Sequence, residues 1–149
     1  MSTIRDAGEW DFEGILRLFG QLWPERTLVA SKMRDVFRRG LASDRQAYLC
    51  ATDGEAGPVV GFGSITVLNS FSQQGPLANL DELVVDEAWR RRGVGTALLE
   101  RLIARAAEMG CGRLDLHSQF RRAVAHAFYE RRGFERRAYL FTRWIGERP

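Results

Sequence analysis

The sequence predicts a mixed α/β fold, in which helices flank one sheet, and two observations lead to this prediction. The first is the spacing of apolar residues, which changes along the chain between the helical period and short β-branched or aromatic runs. The second is the order of these segments: helices, an antiparallel meander, then strand, helix, strand, helix and strand. No repeat or linker-like tract interrupts them, so we expect one domain over residues 1–149.

The first elements are two helices followed by a hairpin. Residues 12–23 place apolar side chains at spacings of three and four, and Pro24 ends that helix. A second helix is predicted over about 30–39, ended by Gly40. The stretches 47–52 and 59–68 then form a β-hairpin, and a polar excursion leads from it into a third strand at 80–86.

The second half of the chain alternates helices and strands. Residues 96–109 return to the helical period, and Gly110 is placed to cap that helix. A short strand is predicted at 113–117, a helix at 123–132 and a final strand at 137–144. These elements complete the expected sheet.

Composition is typical of a globular domain of enzyme size. Hydrophobic residues make up 45% of the 149 and charged residues 28%, which excludes the disordered and fibrous classes. The 22 basic residues include a single lysine, Lys32, yet the formal net charge is only +3. Because the arginines are spread along the chain, the alternative of an RNA-binding domain is disfavoured, and we expect no nucleic-acid partner.

The cysteines and the N-terminus indicate where such a protein would reside. Cys50 and Cys111 stand apart in apolar surroundings without metal-like spacing, so we expect no metal site and no disulfide. They are interpreted as small core residues in a reducing compartment. The N-terminus lacks the pattern of a signal peptide, and no apolar stretch reaches the length of a membrane span. We therefore expect a cytoplasmic protein with no membrane partner.

A basic, glycine-rich turn joins the strand at 80–86 to the helix after it. Such a turn places unpaired N–H groups and the positive end of a helix dipole at one point, which favours phosphate binding. A P-loop is excluded, because one residue separates Gly93 from Gly95 and no lysine follows. A dinucleotide fingerprint would need a third glycine where the chain has Leu98, so that interpretation is a minor alternative.

The spacing Arg90-x-x-Gly93-x-Gly95, between "LDELVVD" and "TALLERLIARA", resembles the acyl-CoA-binding motif of the GNAT superfamily of N-acetyltransferases. The stretch "AHAFYERRGFE" (125–135) is similar to that superfamily's later helix. The resemblance covers essentially the whole chain. It implies a GNAT-like fold, whose mostly antiparallel sheet splays between the strands near 80–86 and 113–117. It also implies acetyl transfer from acetyl-CoA to a primary amine in a ternary complex, without a metal.

The resemblance implies that coenzyme A binds in the gap between the two splayed strands and on the basic, glycine-rich turn. Backbone groups of Leu83 and Val85 would bind the pantetheine arm. The pyrophosphate would lie on the residues of the turn, which are Arg90, Arg91, Arg92, Gly93, Val94, Gly95 and Thr96. The superfamily often has an asparagine seven residues before the tyrosine of the later helix, where this chain has Arg122. That pantetheine contact is therefore not carried over.

Two acids on the strand at 80–86 are candidates for the general base. Strict alternation predicts Glu82 on one face and Asp81 on the other, among apolar neighbours that would raise a carboxyl pKa. Glu82 is the expected base and Asp81 the reserve. The alternative is that both lie at an exposed strand start and pair with arginines. By resemblance, the N–H of Leu83 stabilises the oxyanion and Tyr129 protonates the departing thiolate.

The acceptor is the least defined part of the prediction. By resemblance, its pocket is built from "QLWPERTLV" and "LNSFSQQGPL", in which Trp23 and Phe71 are the candidate contacts. A small-molecule amine is expected, with similarities that point both to aminoglycosides and to aminoalkylphosphonates. A protein or peptide amine and a non-catalytic acetyl-CoA sensor are the alternatives. The resemblance also suggests a homodimer.

Overall fold

The computed structural model describes residues 1–149 and contains one five-stranded sheet. In spatial order its strands are β1 (Ser2–Asp6), β2 (Gln46–Asp53), β3 (Val59–Ser70), β4 (Gly75–Val85) and β5 (Leu114–Leu116). The helices are α1 (Phe12–Leu22), α2 (Ala30–Ala42), α3 (Val94–Glu108) and α4 (Ala123–Glu130). The predicted mixed α/β class is confirmed, and no helix is both long and apolar enough to cross a membrane.

Strands β1 to β4 form an antiparallel meander that is longer than predicted. Strand β1, which the sequence analysis missed, pairs with β2 along all five of its residues. Pairing of β3 with β4 continues to Ser70 opposite Gly75, so much of the predicted polar excursion belongs to a hairpin with a tight turn. Helix α2 likewise continues past Gly40 to Ala42. Helix α3 joins β4 to the adjacent β5, a connection typical of parallel neighbours.

The sheet is covered on both faces, and each face has its own core. Helices α1 and α2 pack on one face around Phe12, Phe19, Phe37 and Phe62. Helix α3 packs closely on the other face because β3 has glycines there. A Cβ added at Gly63 would lie 2.6 Å from a methyl carbon of Leu102, which real side chains do not tolerate. Burial of these apolar residues is the main stabilising contribution to the sheet.

An irregularity in β4 changes which way its acids face. Ser64 pairs with Glu82 whereas the next residue, Ile65, pairs with Leu80, so Asp81 is an extra residue in the ladder, a β-bulge. Leu80 and Glu82 consequently lie on opposite faces of the sheet. Both acids hydrogen-bond to alternate residues of β3, as described below, and so share the face covered by α1 and α2. The prediction of one acid on each face is wrong, because the bulge breaks the alternation.

Residues 116–149 form a second compact unit. Helix α4 ends in a turn in which Gly133 has a φ of +88° and the N–H of Phe134 donates to the carbonyl of Tyr129 at 3.2 Å. The predicted strand at 137–144 is wrong, since this segment has no regular structure. A strand needs a neighbour for its backbone hydrogen bonds, and residues 117–149 contain no other strand that could supply one. That residues 1–149 form a single domain stays a prediction.

Candidate active site

Glu82 is a half-buried carboxylate without a cationic partner. Ser64 lies directly opposite on β3, and its Oγ donates a hydrogen bond to Oε2 of Glu82 at 2.5 Å. Burial raises the pKa of Glu82, the bond from Ser64 lowers it and the negative charge of Asp81 raises it, so that the pKa lies above its usual range. Such a carboxylate takes up a proton closer to neutral pH than a solvated one, as a general base requires.

Asp81 occupies a different environment on the same face. Its carboxylate is exposed and accepts hydrogen bonds from Thr66 Oγ1 at 2.6 Å and from Asn79 Nδ2 at 2.9 Å. Thr66 in turn accepts a bond from Gln46 Nε2 at 3.3 Å. Neither Asp81 nor Glu82 pairs with an arginine, so the alternative in which both form ion pairs is wrong.

Asp11 is a buried carboxylate with a structural role, and its contacts can be compared with those of Glu82. It is 4% exposed, and Arg5 binds both of its oxygens, at 2.7 and 2.8 Å, while the N–H of Gly8 donates at 2.8 Å. Burial alone would raise the pKa of Asp11, but these donors outweigh it and the pKa is lowered. Asp11 is therefore ionised and neutralised, whereas Glu82 has only a neutral hydroxyl beside it.

Tyr48 and the two β3 hydroxyls are site residues that the sequence analysis missed. Tyr48 is the β2 partner of Ser64, so a row of Tyr48, Ser64 and Glu82 crosses three strands. Burial raises the pKa of the Tyr48 phenol, and the charges of Glu82 and Asp81 raise it further, which keeps it protonated. The available signal was a set of polar residues at alternate positions in apolar strands: 46 and 48 in β2, 64 and 66 in β3.

The turn after β4 is anchored to the rest of the sheet. Asp86 accepts a hydrogen bond from the N–H of Ala88 at 2.9 Å and an ion pair from Arg17 at 2.5 Å. Arg17 also donates to the carbonyl of Val59 at 2.9 Å, which ties the turn to α1 and β3. The pKa of Asp86 is lowered, first by the bond from Arg17. The turn is therefore held in place before any ligand binds.

The arginines and glycines of the turn surround the start of α3. Arg91 and Gly93 have positive φ angles, of 63° and 80°, and the N–H of Ala97 closes the first helical turn on the carbonyl of Gly93 at 3.0 Å. Arg92 lies over the ring of Trp89 at 5.0 Å, and Nε of Arg90 donates to the carbonyl of Val85 at 3.4 Å. Exposed guanidinium groups beside a helix N-terminus fit an anionic ligand such as a pyrophosphate.

Tyr129 belongs to the second compact unit. Its ring centroid lies 5.3 Å from that of Phe128 and 5.5 Å from that of Phe134. Burial raises the pKa of Tyr129, and the positive charge of Arg122 partly opposes this. The phenol is therefore protonated at neutral pH and has a proton to donate. Arg122, at the position of the asparagine of the superfamily, acts electrostatically on this tyrosine.

The structure gives little support to the two predicted acceptor contacts. Trp23 stacks on Phe19 at 5.1 Å, and Arg26 lies 4.6 Å from its ring centroid. Phe71 is fully exposed in the turn between β3 and β4. A depression of about 490 Å³ is lined by residues that include Arg5 and Trp10, and by none of the predicted site residues.

Comparisons with known proteins agree with this architecture. The model of the Acetyltransferase (GNAT) family matches residues 12–134. Glucosamine 6-phosphate N-acetyltransferase 1 of Oryza sativa subsp. japonica is 32% identical over 101 residues, which are 66% of this chain and 61% of that relative. The chain thus spans about 61% of the length of the curated relative that it matches.

Solved structures match nearly the whole chain. A putative acetyltransferase from Agrobacterium tumefaciens str. C58 has 28% identity and a TM-score of 0.84, covering 95% of this chain and 99% of that one. Glucosamine-6-phosphate N-acetyltransferase from Arabidopsis thaliana, at 20% identity, covers 98% of this chain and 99% of that one with a TM-score of 0.82, and so shares the fold. Since the family model matches most of its length, this chain belongs to the acetyltransferase (GNAT) family.

Proposed function

We propose that this protein transfers an acetyl group from acetyl-CoA to a primary amine of a small molecule. The observation that carries the proposal is Glu82, a half-buried carboxylate whose pKa is raised and which no cation neutralises. The arginine and glycine turn supports the choice of donor, because it offers backbone N–H groups and positive charge to the phosphates of coenzyme A.

The reaction proceeds by direct attack within a ternary complex. The amine nitrogen attacks the thioester carbonyl carbon, and Glu82 accepts the proton that the nitrogen loses, directly or through water. The N–H of Leu83 stabilises the oxyanion of the tetrahedral intermediate. When the carbon–sulfur bond breaks, Tyr129 gives its phenolic proton to the thiolate and regains one from solvent. No metal is needed at any step.

Coenzyme A lies along β4 and on the turn. The pantetheine arm contacts the backbone of Leu83 and Val85, and the pyrophosphate is bound by the turn residues, which are Arg90, Arg91, Arg92, Gly93, Val94, Gly95 and Thr96. The conformation of this turn requires the positive φ of Gly93, which is +80°. A Cβ built on Gly93 would contact nothing within 4 Å. Changing Gly93 therefore tests backbone conformation without a steric clash.

Replacing Gly93 by valine should weaken coenzyme A binding about tenfold. A residue other than glycine at positive φ costs roughly 1–2 kcal/mol, so the free turn relaxes to another conformation and binding must restore the strained one; 1.4 kcal/mol is about tenfold in affinity. Isothermal titration calorimetry with coenzyme A measures the change. Gly75→Val is the matched control, because its Cβ also meets nothing within 4 Å while its φ is an ordinary one. Equal affinity of the Gly93 variant and the wild type would show that the phosphates bind elsewhere.

The acceptor is best sought among small cationic amines. Two carboxylates on one face of β4 would attract an ammonium group. The curated relative is named for glucosamine 6-phosphate, and the sequence similarities described above include aminoglycoside acetyltransferases. A thiol-release assay with acetyl-CoA should include both, together with aminoalkylphosphonates, polyamines, amino acids and a peptide. Turnover of the peptide alone would favour a protein acetyltransferase, and binding of acetyl-CoA without any thiol release would favour a sensor.

We also propose that two copies associate through the C-terminal segment 138–145. Its large apolar side chains are exposed, with Phe141 at 91% and Ile145 at 100%, and patches of this kind mark interaction sites. Sedimentation at micromolar concentration should give a dimer, and Phe141→Asp should give a monomer. Val36→Asp, at an exposed position on α2, is the control that leaves the dimer intact. A monomeric wild type would contradict the proposal.

A further inference from the structure

Ser64 is a polar residue where the core would otherwise be apolar. It is fully buried in the middle of β3, and Phe62, two residues earlier on the same face, belongs to the apolar core. The one side-chain hydrogen bond of Ser64 goes to Glu82. A buried hydroxyl costs free energy unless it is hydrogen-bonded, and the carboxylate of Glu82 accepts the hydrogen bond that this serine donates.

The bond from Ser64 occupies one oxygen of the Glu82 carboxylate. The Oγ of Ser64 and Oε2 of Glu82 lie 2.5 Å apart, in direct hydrogen-bond contact. The second oxygen, Oε1, has no hydrogen-bond partner in the structure. The β-bulge at Asp81 turns Glu82 towards Ser64, so the pairing is a product of the backbone as much as of the two side chains.

We propose that Ser64 is a positioning residue for acetyl transfer, which binds one oxygen of Glu82, leaves the other free for the acceptor amine and favours the proton-accepting form of the carboxylate. This inference rests on the proposed function, in which Glu82 is the base. Ser64 itself exchanges no proton with substrate. The hydrogen bond from its hydroxyl restricts the rotation of the Glu82 side chain.

Few charged groups surround Glu82, so the effect of Ser64 on its titration can be measured. Asp81 on β4 and Tyr48 on β2 are the titratable groups that face it. On α1 and α2 the charged side chains pair with other residues or lie exposed. These are Glu13 with Arg34, Arg17 with Asp86, Arg38 with Glu9, Arg39 with Asp35, and the exposed Lys32.

The test is Ser64→Ala, studied by two independent measurements. Carbon-13 NMR of labelled glutamate carboxyls follows the titration of Glu82, identified by the signal that Glu82→Gln removes, whether or not Glu82 takes part in catalysis. We expect this titration to move to higher pH, since the hydrogen bond that favours the ionised form is lost. The acid limb of the pH profile of kcat/KM should move to higher pH by the same amount. For each pH unit that it moves, kcat/KM of the variant at a fixed acidic pH should be tenfold lower than that of wild type. At alkaline pH Glu82 is ionised in both proteins, so the remaining loss of kcat/KM should be only the part that comes from the poorer orientation of its carboxylate.

Two further variants separate positioning from a general loss of packing. Ser64→Cys keeps the side-chain volume but has a weaker hydrogen-bond donor. Its NMR titration and its kinetic acid limb should therefore both lie between those of wild type and Ser64→Ala. Thr52→Val removes a similarly buried hydroxyl, one bound to backbone carbonyls of Thr3 and Gly54, and should move neither titration.

The outcomes distinguish this inference from the function on which it rests. An NMR titration of Glu82 that is the same in Ser64→Ala and wild type would overturn the role of Ser64. An NMR titration that moves while the kinetic limb stays would instead remove Glu82 as the base, and the catalytic part of the inference with it. Movement of both, graded through Ser64→Cys, is the expected result.

Discussion

Replacing Glu82 by glutamine should lower kcat by about 10²–10⁴-fold, the usual contribution of a positioned general base. Glutamine has nearly the same shape and can still accept the hydrogen bond from Ser64, so the variant removes the proton acceptor and little else. Steady-state kinetics of thiol release, with saturating acetyl-CoA and the best amine of the panel, measure the loss. Acetyl-CoA binding by calorimetry should be unchanged.

The same variant should remove the pH dependence of stability that Glu82 contributes. Because burial raises the pKa of Glu82, its folded form binds a proton more tightly than the unfolded chain does. That contribution to stability is complete below the unfolded pKa and is lost as the pH rises through the folded value. Glutamine does not titrate, so the Tm of Glu82→Gln relative to that of wild type should rise as the pH increases from the unfolded pKa through the folded pKa of Glu82, and should then stay constant.

Asp81→Asn is the matched control for the assignment of the base. It makes the same change one residue away, on a carboxylate held by Thr66 and Asn79. If Asp81→Asn loses more activity than Glu82→Gln, then Asp81 is the base and Glu82 is not. Because the two acids share a face, comparing the two variants is more informative than either alone.

Replacing Tyr129 by phenylalanine should reduce kcat by about 10²-fold or more while acetyl-CoA binds as in wild type. The ring and its contacts with Phe128 and Phe134 remain, and only the hydroxyl is lost. Since burial raises the pKa of Tyr129, the phenol holds its proton throughout the neutral range and can protonate the departing thiolate. Stopped-flow thiol release at saturating substrates measures the chemical step.

Tyr139→Phe provides the control for that experiment. It removes the same hydroxyl from a tyrosine of the proposed dimer segment, which is 75% exposed in a single copy, and turnover should match wild type while sedimentation shows an unchanged oligomeric state. Wild-type turnover in Tyr129→Phe would remove Tyr129 from the mechanism and leave solvent as the proton donor.

The local structure around the candidate site that the sequence predicted correctly is governed by interactions between residues close together in the chain. A glycine with positive φ, arginines and an amphipathic helix are neighbours in the chain, so the turn before α3 could be predicted from residues 90–109 alone. Tyr129 and Gly133 follow the same logic at the end of α4. In each case the relevant interactions span less than about two turns of helix.

The parts that were missed depend on pairing between distant segments. The face of Asp81 is decided by a one-residue shift against β3, which no pattern within β4 reveals. Ser64 and Thr66 acquire their partners only through that register. The segment 137–144 shows the converse, because its aromatic and β-branched residues favour a strand while residues 117–149 contain no other strand to pair with it.

The β-bulge has a further consequence for how β4 tolerates changes of length. Deleting one residue from a regular strand turns every following side chain to the other face. Asp81 has no partner of its own in the ladder, so its deletion would leave Leu80 opposite Ile65 and Glu82 opposite Ser64 as ordinary adjacent pairs. Position 81 is thus a point at which the strand can lose a residue while Glu82 keeps its place opposite Ser64.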